Sequence, residues 1–448
     1  MKLSALAKAI GAKLQGADVT LPPIVIDSRK ISAGDFFVAL KGENHDGHDY
    51  IAGAIAQGAK VVLANRGPQN DKEKAITFLQ VPDTIEALGK LAAVWRTLYP
   101  VPMVGITGSC GKTTVKGMTE SICAQQGKVL ATKGNFNNHI GLPLTLLRLD
   151  ASYDFAVIEM GANHAGEIAY LGKIAKPTIS LITNVLPAHL QGFKTVAGVA
   201  KAKGEIYEIL PPDGIAIINA EEAFVDYWHT IIGERKIITY GLNGMVHASA
   251  IELHPFYVSF TLHLPAQHQR VKINIPGQHT VMNALAAASA GFALGFNLEA
   301  IVKGLEAFQG VPGRLRSFTG FNQARIIDDS YNANPGSMKA ALEVLAQCEG
   351  ERLFVMGDMG ELGEDSITYH AQIGEFAREK KIERLLAVGK LTEHAVKAFG
   401  QGAKMYPSKE ALVDELKISL NAQATILIKG SRSAGMEVVT QALTIHEE

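Results

Sequence analysis

Short apolar runs and segments of helical periodicity take turns along most of this chain. Ile24-Val25-Ile26, Asp35-Phe36-Phe37-Val38-Ala39-Leu40 and Lys60-Val61-Val62-Leu63-Ala64 read as strands of a first unit, with a small-residue helix over residues 51–57 before the last of them. Ile85, Leu88, Leu91, Ala92, Trp95 and Leu98 recur at helical spacing. The pattern therefore predicts an amphipathic helix over residues 83–99, preceded by Pro82 and ended by Pro100. Beyond it, apolar runs at 101–107, 155–158, 179–183, 215–218 and 237–238 are separated by helical segments. That alternation implies a mostly parallel sheet with helices on both faces.

The period changes once. Phe256, Val258, Phe260, Leu262 and Leu264 alternate with polar residues, as do Val271, Ile273 and Ile275, which predicts a half-buried antiparallel hairpin. A small-residue helix over 283–294 follows Pro276-Gly277. Strand-like runs at 326–327, 353–356, 385–388 and 425–428, again with helices between, predict a second doubly wound α/β unit.

One polar stretch interrupts this pattern at an informative place. Gly105-Ile106-Thr107-Gly108-Ser109-Cys110-Gly111-Lys112-Thr113-Thr114 follows the first central strand. It opens a segment in which Val115, Met118, Thr119 and Ile122 fall at helical spacing. Strand, glycine-rich turn, then helix is the context of a phosphate-binding loop: backbone N–H groups turn onto phosphate oxygens at a partly positive helix N-terminus. Lys112 can reach the β- and γ-phosphates, and the Thr113 hydroxyl can sit on Mg²⁺. The usual spacing has glycine where this chain has Ile106, and glycines stand at 105 and 108 instead. The loop makes Gly108, Ser109, Cys110, Gly111, Lys112, Thr113 and Thr114 candidate nucleotide ligands.

Length and composition narrow the class. The 448 residues suggest about three domains at roughly 150 residues each. The expected fold is α/β: a small N-terminal α/β domain over 1–82, a central phosphate-loop ATPase domain with a mostly parallel sheet over 83–311, and a Rossmann-like C-terminal domain over 312–448. Hydrophobic residues at 47% supply ample core, and a formal charge of −1 argues against a nucleic-acid binder that relies on a bulk positive field. Three scattered cysteines, Cys110, Cys123 and Cys348, have no zinc spacing and fit a reducing compartment. The N-terminus lacks the long apolar stretch of a signal peptide, and no run approaches the ~20 residues of a membrane span. These features are those expected of a cytoplasmic protein.

Ligands of open α/β sheets collect at the carboxyl ends of strands, so polar residues there are candidates. Glu159 ends one strand; Asn184 ends another, with His189 just beyond. A carboxylate and an imidazole beside a triphosphate are reasonable Mg²⁺ ligands, directly or through water. Lys201-Ala202-Lys203-Gly204-Glu205 reads by itself as a solvated helix face. Asp328-Asp329-Ser330-Tyr331-Asn332-Ala333-Asn334-Pro335 is either a capped turn or a contact to nucleotide or second substrate. Arg432 is an exposed arginine or a carboxylate clamp. The loops at 27–30 and 41–50 read as ordinary polar turns, though strand-end loops are common binding surfaces.

Together these stretches resemble the Mur ligase family over essentially the whole chain. The resemblance rests on Gly105 to Thr114, on Asn135-Phe136-Asn137-Asn138-His139-Ile140-Gly141-Leu142-Pro143, and on Glu159-Met160-Gly161. It rests also on Asn184-Val185-Leu186-Pro187-Ala188-His189, on Ala202-Lys203-Gly204-Glu205-Ile206, on Gly277-Gln278-His279 with Asn283, and on Asp329 to Pro335. The last run resembles the family member that adds D-alanyl-D-alanine. The resemblance implies an ATP-dependent amide ligase acting on UDP-N-acetylmuramoyl-tripeptide and D-alanyl-D-alanine through an acyl phosphate, as a cytoplasmic monomer. It implies Lys112, Lys203, His189 and Glu159 as catalytic residues. Thr113, Glu159, His189 and a carbamylated Lys203 would hold Mg²⁺, two ions in all. Asn283, Arg314 and Asp329 would join the loop in binding ATP. Ser28, Arg29, Gly47 and His48 would hold the UDP end, and Asn137, Asn138, Asn332, Asn334 and Arg432 would contact substrate. Another Mur-type ligase, a folylpolyglutamate-synthase-type ligase and a phosphate-loop switch protein are the alternatives. The last leaves the third unit without a task.

Overall fold

The computed structural model describes residues 1–42, 45–187 and 190–444. A helix, Leu3–Ile10, opens the chain and buries Leu3, Leu6, Ala7 and Ile10. It covers a five-stranded sheet made of β1 (Lys13–Gln15), β2 (Ile24–Val25), β3 (Phe36–Val38), β4 (Val61–Ala64) and β5 (Thr77–Gln80). Their order is β1-β5-β4-β3-β2, with only β1 antiparallel to its neighbour. β3 and β4 are buried at every position, as unbroken apolar runs in a parallel sheet should be. β1 and β5 were not expected: they are short and partly polar, so they carry no apolar run to read.

The amphipathic helix runs Thr84–Leu98. The Asp83 carboxylate accepts from the N–H groups of Ile85 and Glu86 at 2.8 and 3.0 Å. Its Ala87 and Leu91 pack into the N-terminal core with Leu3 and Leu6, whereas Ala92 packs with Met103 and Ile174 of the next unit. One helix thus belongs to two cores, and it fixes how the first sheet sits on the second.

The central sheet consists of β6 (Met103–Thr107), β7 (Val129–Ala131), β8 (Phe155–Glu159), β9 (Ile179–Ile182), β10 (Ile215–Asn219) and β11 (Lys236–Tyr240). The order is β11-β10-β9-β6-β8-β7, parallel throughout. β6 lies between β8 and β9, so the chain order reverses there. A crevice opens at its carboxyl end, where the helix Lys112–Cys123 begins. The helices Gln278–Ala293 and Leu298–Ala307 complete this unit.

The expected hairpin is instead a three-stranded antiparallel sheet, β12 (His247–Leu253), β13 (Val258–Leu264) and β14 (Gln267–Ile273). β12 escaped prediction because it is an exposed edge strand with a register shift between Ser249 and Glu252, which destroys the alternation. The third unit holds β15 (Arg316–Thr319), β16 (Arg325–Asp329), β17 (Glu351–Gly357), β18 (Arg384–Val388), β19 (Ala403–Met405) and β20 (Ala424–Lys429), in the order β15-β16-β20-β17-β18-β19. Only the edge strand β15 is antiparallel to its neighbour.

Three histidines form a ladder across the small sheet. His263 of β13 pairs in register with His247 of β12 and His268 of β14, with ring centroids 4.5 and 5.4 Å away. Partial desolvation and the two neighbouring imidazoles hold His263 below the ordinary histidine range. The unfolded chain therefore takes up this proton more readily than the folded one. Stability from this group is complete above about pH 6.5 and is lost as pH falls below it. Urea unfolding at neutral and mildly acidic pH checks this: His247→Gln should lose less stability on acidification than the parent chain.

Candidate active site

The turn after β6 is clamped from β9. Asn184 accepts the Ser109 N–H on its carbonyl at 3.0 Å and the Cys110 N–H on its amide oxygen at 2.9 Å. The Thr183 hydroxyl and the Asn184 amide donate to the Cys110 carbonyl at 2.6 and 3.1 Å. The backbone N–H groups of Ser109 and Cys110 are thus spent on holding the turn. The first helical residues, Lys112, Thr113 and Thr114, keep N–H groups that no intrahelical carbonyl can satisfy, and these face an incoming anion. Gly111 has φ +82°, and a Cβ there would stand 2.6 Å from the Asn283 side-chain oxygen. Asn283, buried, therefore lies directly against the turn.

Two lysines meet on one oxygen. The Nζ atoms of Lys112 and Lys203 donate to the Gly108 carbonyl at 2.8 and 2.9 Å, and Lys112 also reaches the Ser109 carbonyl at 3.3 Å. Both are driven toward the neutral amine. Burial is the main cause, and Lys203 is held at about 7 by burial and then by the Lys112 charge. The reading of residues 201–205 as a solvated face fails at Lys203, which is 2% exposed; Lys201, two residues away, is the one in solvent. A step of two residues turns roughly 200° around a helix, so only one of the pair can point inward.

Glu159 ends β8 on the same edge. Asn137 donates to its Oε1 at 2.7 Å, and its Oε2 is buried with no partner among the described residues. The Thr107 hydroxyl, at the end of β6, is likewise buried and unpartnered. A carboxylate oxygen left bare beside a phosphate loop fits a hard cation, and carboxylate and hydroxyl donors are what Mg²⁺ takes. Among the described residues no three His, Cys, Asp or Glu side chains gather into a cage. His189 lies outside the described residues.

The third unit reaches the same loop. The Arg314 guanidinium stands 3.5 Å from the Thr113 hydroxyl and lies over the Tyr331 ring, 4.3 Å from its centroid. The Asn334 side chain caps the helix Pro335–Ala346 through the Ser337 N–H at 2.8 Å and donates to Cys110 Sγ at 3.2 Å. Asp329 accepts the Leu315 N–H at 3.1 Å and pairs with Lys429 at 2.5 Å; Lys429 also donates to the Asn332 carbonyl at 2.9 Å. Asn332 in turn accepts the Arg432 N–H at 3.3 Å, while the Arg432 guanidinium pairs with Glu437 at 2.9 Å. Asn138 caps its own turn, accepting from Ile140 and Gly141 at 3.2 and 2.8 Å.

The four residues expected at the UDP end form a separate group on the N-terminal sheet. Among the described residues no hydrogen bond or ion pair joins them to the phosphate loop. Ser28 and Arg29 lie in a short helical turn that Asp27 caps. Hydrogen bonds from the Arg29 side chain and then its N–H hold the Asp27 carboxyl down at about 2. His48 bonds Asp46 through Nδ1 at 2.6 Å and accepts the Asn65 N–H on Nε2 at 3.1 Å, which fixes Nδ1 as the protonated nitrogen. Gly47 packs so tightly that a Cβ would lie 2.7 Å from the Leu40 backbone. Sequence reasoning gave no role of their own to Thr183, to Tyr331 within the 328–335 run, or to Lys429 before Arg432. Lys429 had a signal: a lysine ending an otherwise buried apolar strand needs a buried partner.

Three family models match in sequence: the Mur ligase catalytic domain at 23–96, the Mur ligase middle domain at 106–291, and the Mur ligase glutamate ligase domain at 313–432. The chain is 45% identical to the UDP-N-acetylmuramoyl-tripeptide–D-alanyl-D-alanine ligase of Escherichia coli (strain K12), covering 98% of both chains. It superposes on a crystal structure of MurF from Acinetobacter baumannii with TM-score 0.91 at 37% identity, covering 98% and 97% of the two chains. For the MurF ligase from Thermotoga maritima in complex with ADP, the TM-score is 0.82 at 27% identity, covering 94% and 97%.

The Asp329–Lys429 pair is buried, with side chains 10% and 2% exposed. Asp329→Asn leaves the ammonium without its counter-charge and should cost ~3–5 kcal/mol in urea unfolding. Substituting both partners by apolar residues should cost less than that single change.

Proposed function

The chain belongs to the Mur ligase family, and from that premise we infer that it joins D-alanyl-D-alanine to UDP-N-acetylmuramoyl-tripeptide at the expense of ATP. The observation that carries this reading is the convergence of two units on one phosphate loop. Arg314 and Asn334 of the third unit touch Thr113 and Cys110. A ligase must bring an amine acceptor to the carboxylate that ATP has activated, and a unit that closes onto the phosphate loop can deliver it.

A carboxylate does not condense with an amine unaided, because oxide is a very poor leaving group. Transfer of the γ-phosphoryl group to the terminal carboxylate of the tripeptide gives an acyl phosphate and ADP. The amine of D-alanyl-D-alanine adds to the acyl carbon, phosphate departs, and the amide remains. Phosphoryl transfer asks mainly for positioning and charge neutralisation. Lys112 leaves the Gly108 carbonyl for the β- and γ-phosphates, which the N–H groups of Lys112, Thr113 and Thr114 also cradle. Arg314, held flat by Tyr331, adds a second fixed positive charge. Asn283 faces the adenine side. Asn332, Asn334 and Arg432 serve D-alanyl-D-alanine, while Asn137 orients Glu159.

Thr113, Glu159, His189 and Lys203 are the residues that would hold Mg²⁺, which when bound supplies further neutralisation of phosphate charge. Lys203 suits this task only after modification. Its amine is buried, has no carboxylate partner among the described residues and is pushed toward the neutral form, which is the form that adds carbon dioxide. A carbamate there replaces one of two crowded ammonium groups with an oxygen ligand. We assign residues 1–82, with Ser28, Arg29, Gly47 and His48, to the UDP end, 83–311 to ATP and 312–448 to D-alanyl-D-alanine. The reading carries with it a cytoplasmic monomer; no helix among the described residues is long and apolar enough to cross a membrane.

Phosphate release should require both UDP-N-acetylmuramoyl-tripeptide and D-alanyl-D-alanine; release indifferent to the dipeptide would overturn the reading. Lys112→Ala should abolish ligation with the circular dichroism spectrum unchanged. Lys203→Ala should lose activity that short carboxylates partly restore. Protein equilibrated with isotope-labelled carbon dioxide should show one carbamate carbon resonance, absent from that variant.

A further inference from the structure

Lys116 is a buried charge that the proposed reaction leaves without a task. It is 8% exposed and stands one helical turn beyond Lys112, on the same side of the helix Lys112–Cys123. Its Nζ donates to the Thr132 carbonyl at 2.8 Å. Burying an ammonium is more costly than burying an apolar side chain of the same length, so the reason for a lysine here lies in what it holds.

Thr132 follows β7, the edge strand of the central sheet, which pairs with β8. If the parallel ladder continued, Thr132 would donate to the Val157 carbonyl and accept the Glu159 N–H on its own carbonyl. The first of these bonds forms, at 3.2 Å. The second is diverted: the Glu159 N–H goes to the Thr132 hydroxyl at 3.0 Å, and the freed carbonyl turns to Lys116. The chain thus leaves the sheet at Thr132, and residues 133–138 form an arch. Its far foot is pinned as well. Asn137 donates to Glu159 Oε1 at 2.7 Å and accepts the Gly161 N–H on its carbonyl at 2.9 Å. Between the feet, Lys133, Gly134, Asn135 and Phe136 are exposed.

The place of the arch gives it a task. Just after it, Leu147 packs against the N-terminal core, and the Trp95 indole N–H donates to the Leu149 carbonyl at 2.9 Å. The segment that follows the arch therefore docks on the first unit, while the feet of the arch stand at Glu159. A substrate with its UDP end on the first unit and its reacting carboxylate at the phosphate loop runs past this arch. We propose that Lys116 is a positioning residue for UDP-N-acetylmuramoyl-tripeptide: through Thr132 it fixes the arch, and the arch holds the terminal carboxylate of the tripeptide at the phosphate loop. This assignment rests on the ligase reading.

The test measures binding of UDP-N-acetylmuramoyl-tripeptide and of a non-hydrolysable ATP analogue separately by calorimetry, and KM for each substrate in ligation assays. Lys116→Met keeps the apolar stem and removes the ammonium. It should weaken tripeptide binding about tenfold and raise KM for that substrate alone. Affinity for the ATP analogue and KM for D-alanyl-D-alanine should be unchanged. Lys116→Arg, which still donates, should recover part of the loss. Thr132→Val should show the same selective effect, whereas Thr132→Ser, which keeps the hydroxyl, should match the parent chain. This second pair carries the test if Lys116→Met does not fold. Combining Lys116→Met with Thr132→Val should weaken binding less than the two losses added together. Lower thermal stability with tripeptide affinity unchanged, or equal weakening toward every substrate, overturns the proposal and leaves Lys116 a structural residue. A parent chain that binds the ATP analogue but not the tripeptide overturns the ligase reading, and the proposal with it.

Discussion

Two buried ammonium groups cannot both stay charged over one carbonyl oxygen, and the oxygen of Gly108 receives both Lys112 and Lys203. Much of the surrounding architecture bears on that crowding. The turn that presents the Gly108 carbonyl is held rigid by Thr183 and Asn184, so it cannot relax by moving away. The Glu159 carboxylate raises the Lys112 value and so offsets part of the desolvation that lowers it. Among the described residues Lys203 has no such carboxylate beside it, and burial, followed by the Lys112 charge, brings it down to about 7. The site is built for a negative load, and a triphosphate supplies one.

That constraint gives the third unit its place. The loop carries positive potential at a helix N-terminus, yet the unit docking against it brings a further cation, Arg314. Stacking on Tyr331 holds this guanidinium at the Thr113 hydroxyl instead of letting it swing into solvent. Nearby, the charge of Lys429 is met by Asp329 within a buried pair, so it adds little to the field at the loop. At this junction, among the described residues, the Glu159 Oε2 and the Thr107 hydroxyl are buried without a partner.

The helix Thr84–Leu98 plays a comparable part at the other junction. Its apolar stripe is wide enough to be shared, with Leu91 in one core and Ala92 in the next. A connector that packed on one side only would leave the N-terminal sheet free to move as a separate body. The loops assigned to the UDP end are made stiff by local means, through Asp27 with Arg29 and Asp46 with His48.

Sequence alone determined the local and repetitive features. Buried strands such as β4, β8 and β20 are apolar runs, and the phosphate loop is legible because a glycine-rich turn ending in Gly111-Lys112-Thr113 stands between a strand and a helix. Strand ends could be read too, since parallel strands must send Glu159 and Asn184 to one edge. The tertiary structure decided what depends on a partner far away in the chain. β12 is a strand only because β13 accepts it at an exposed edge, where side chains need not alternate. Lys203 reads as a solvated lysine until the helix Val196–Glu208 is laid against the turn after β6. Lys429 and Asp329 lie 100 positions apart, yet adjacent parallel strands place them opposite each other. Periodicity records which face of an element is buried; it holds no record of which charge will be waiting there, because that is set by the packing of elements on one another.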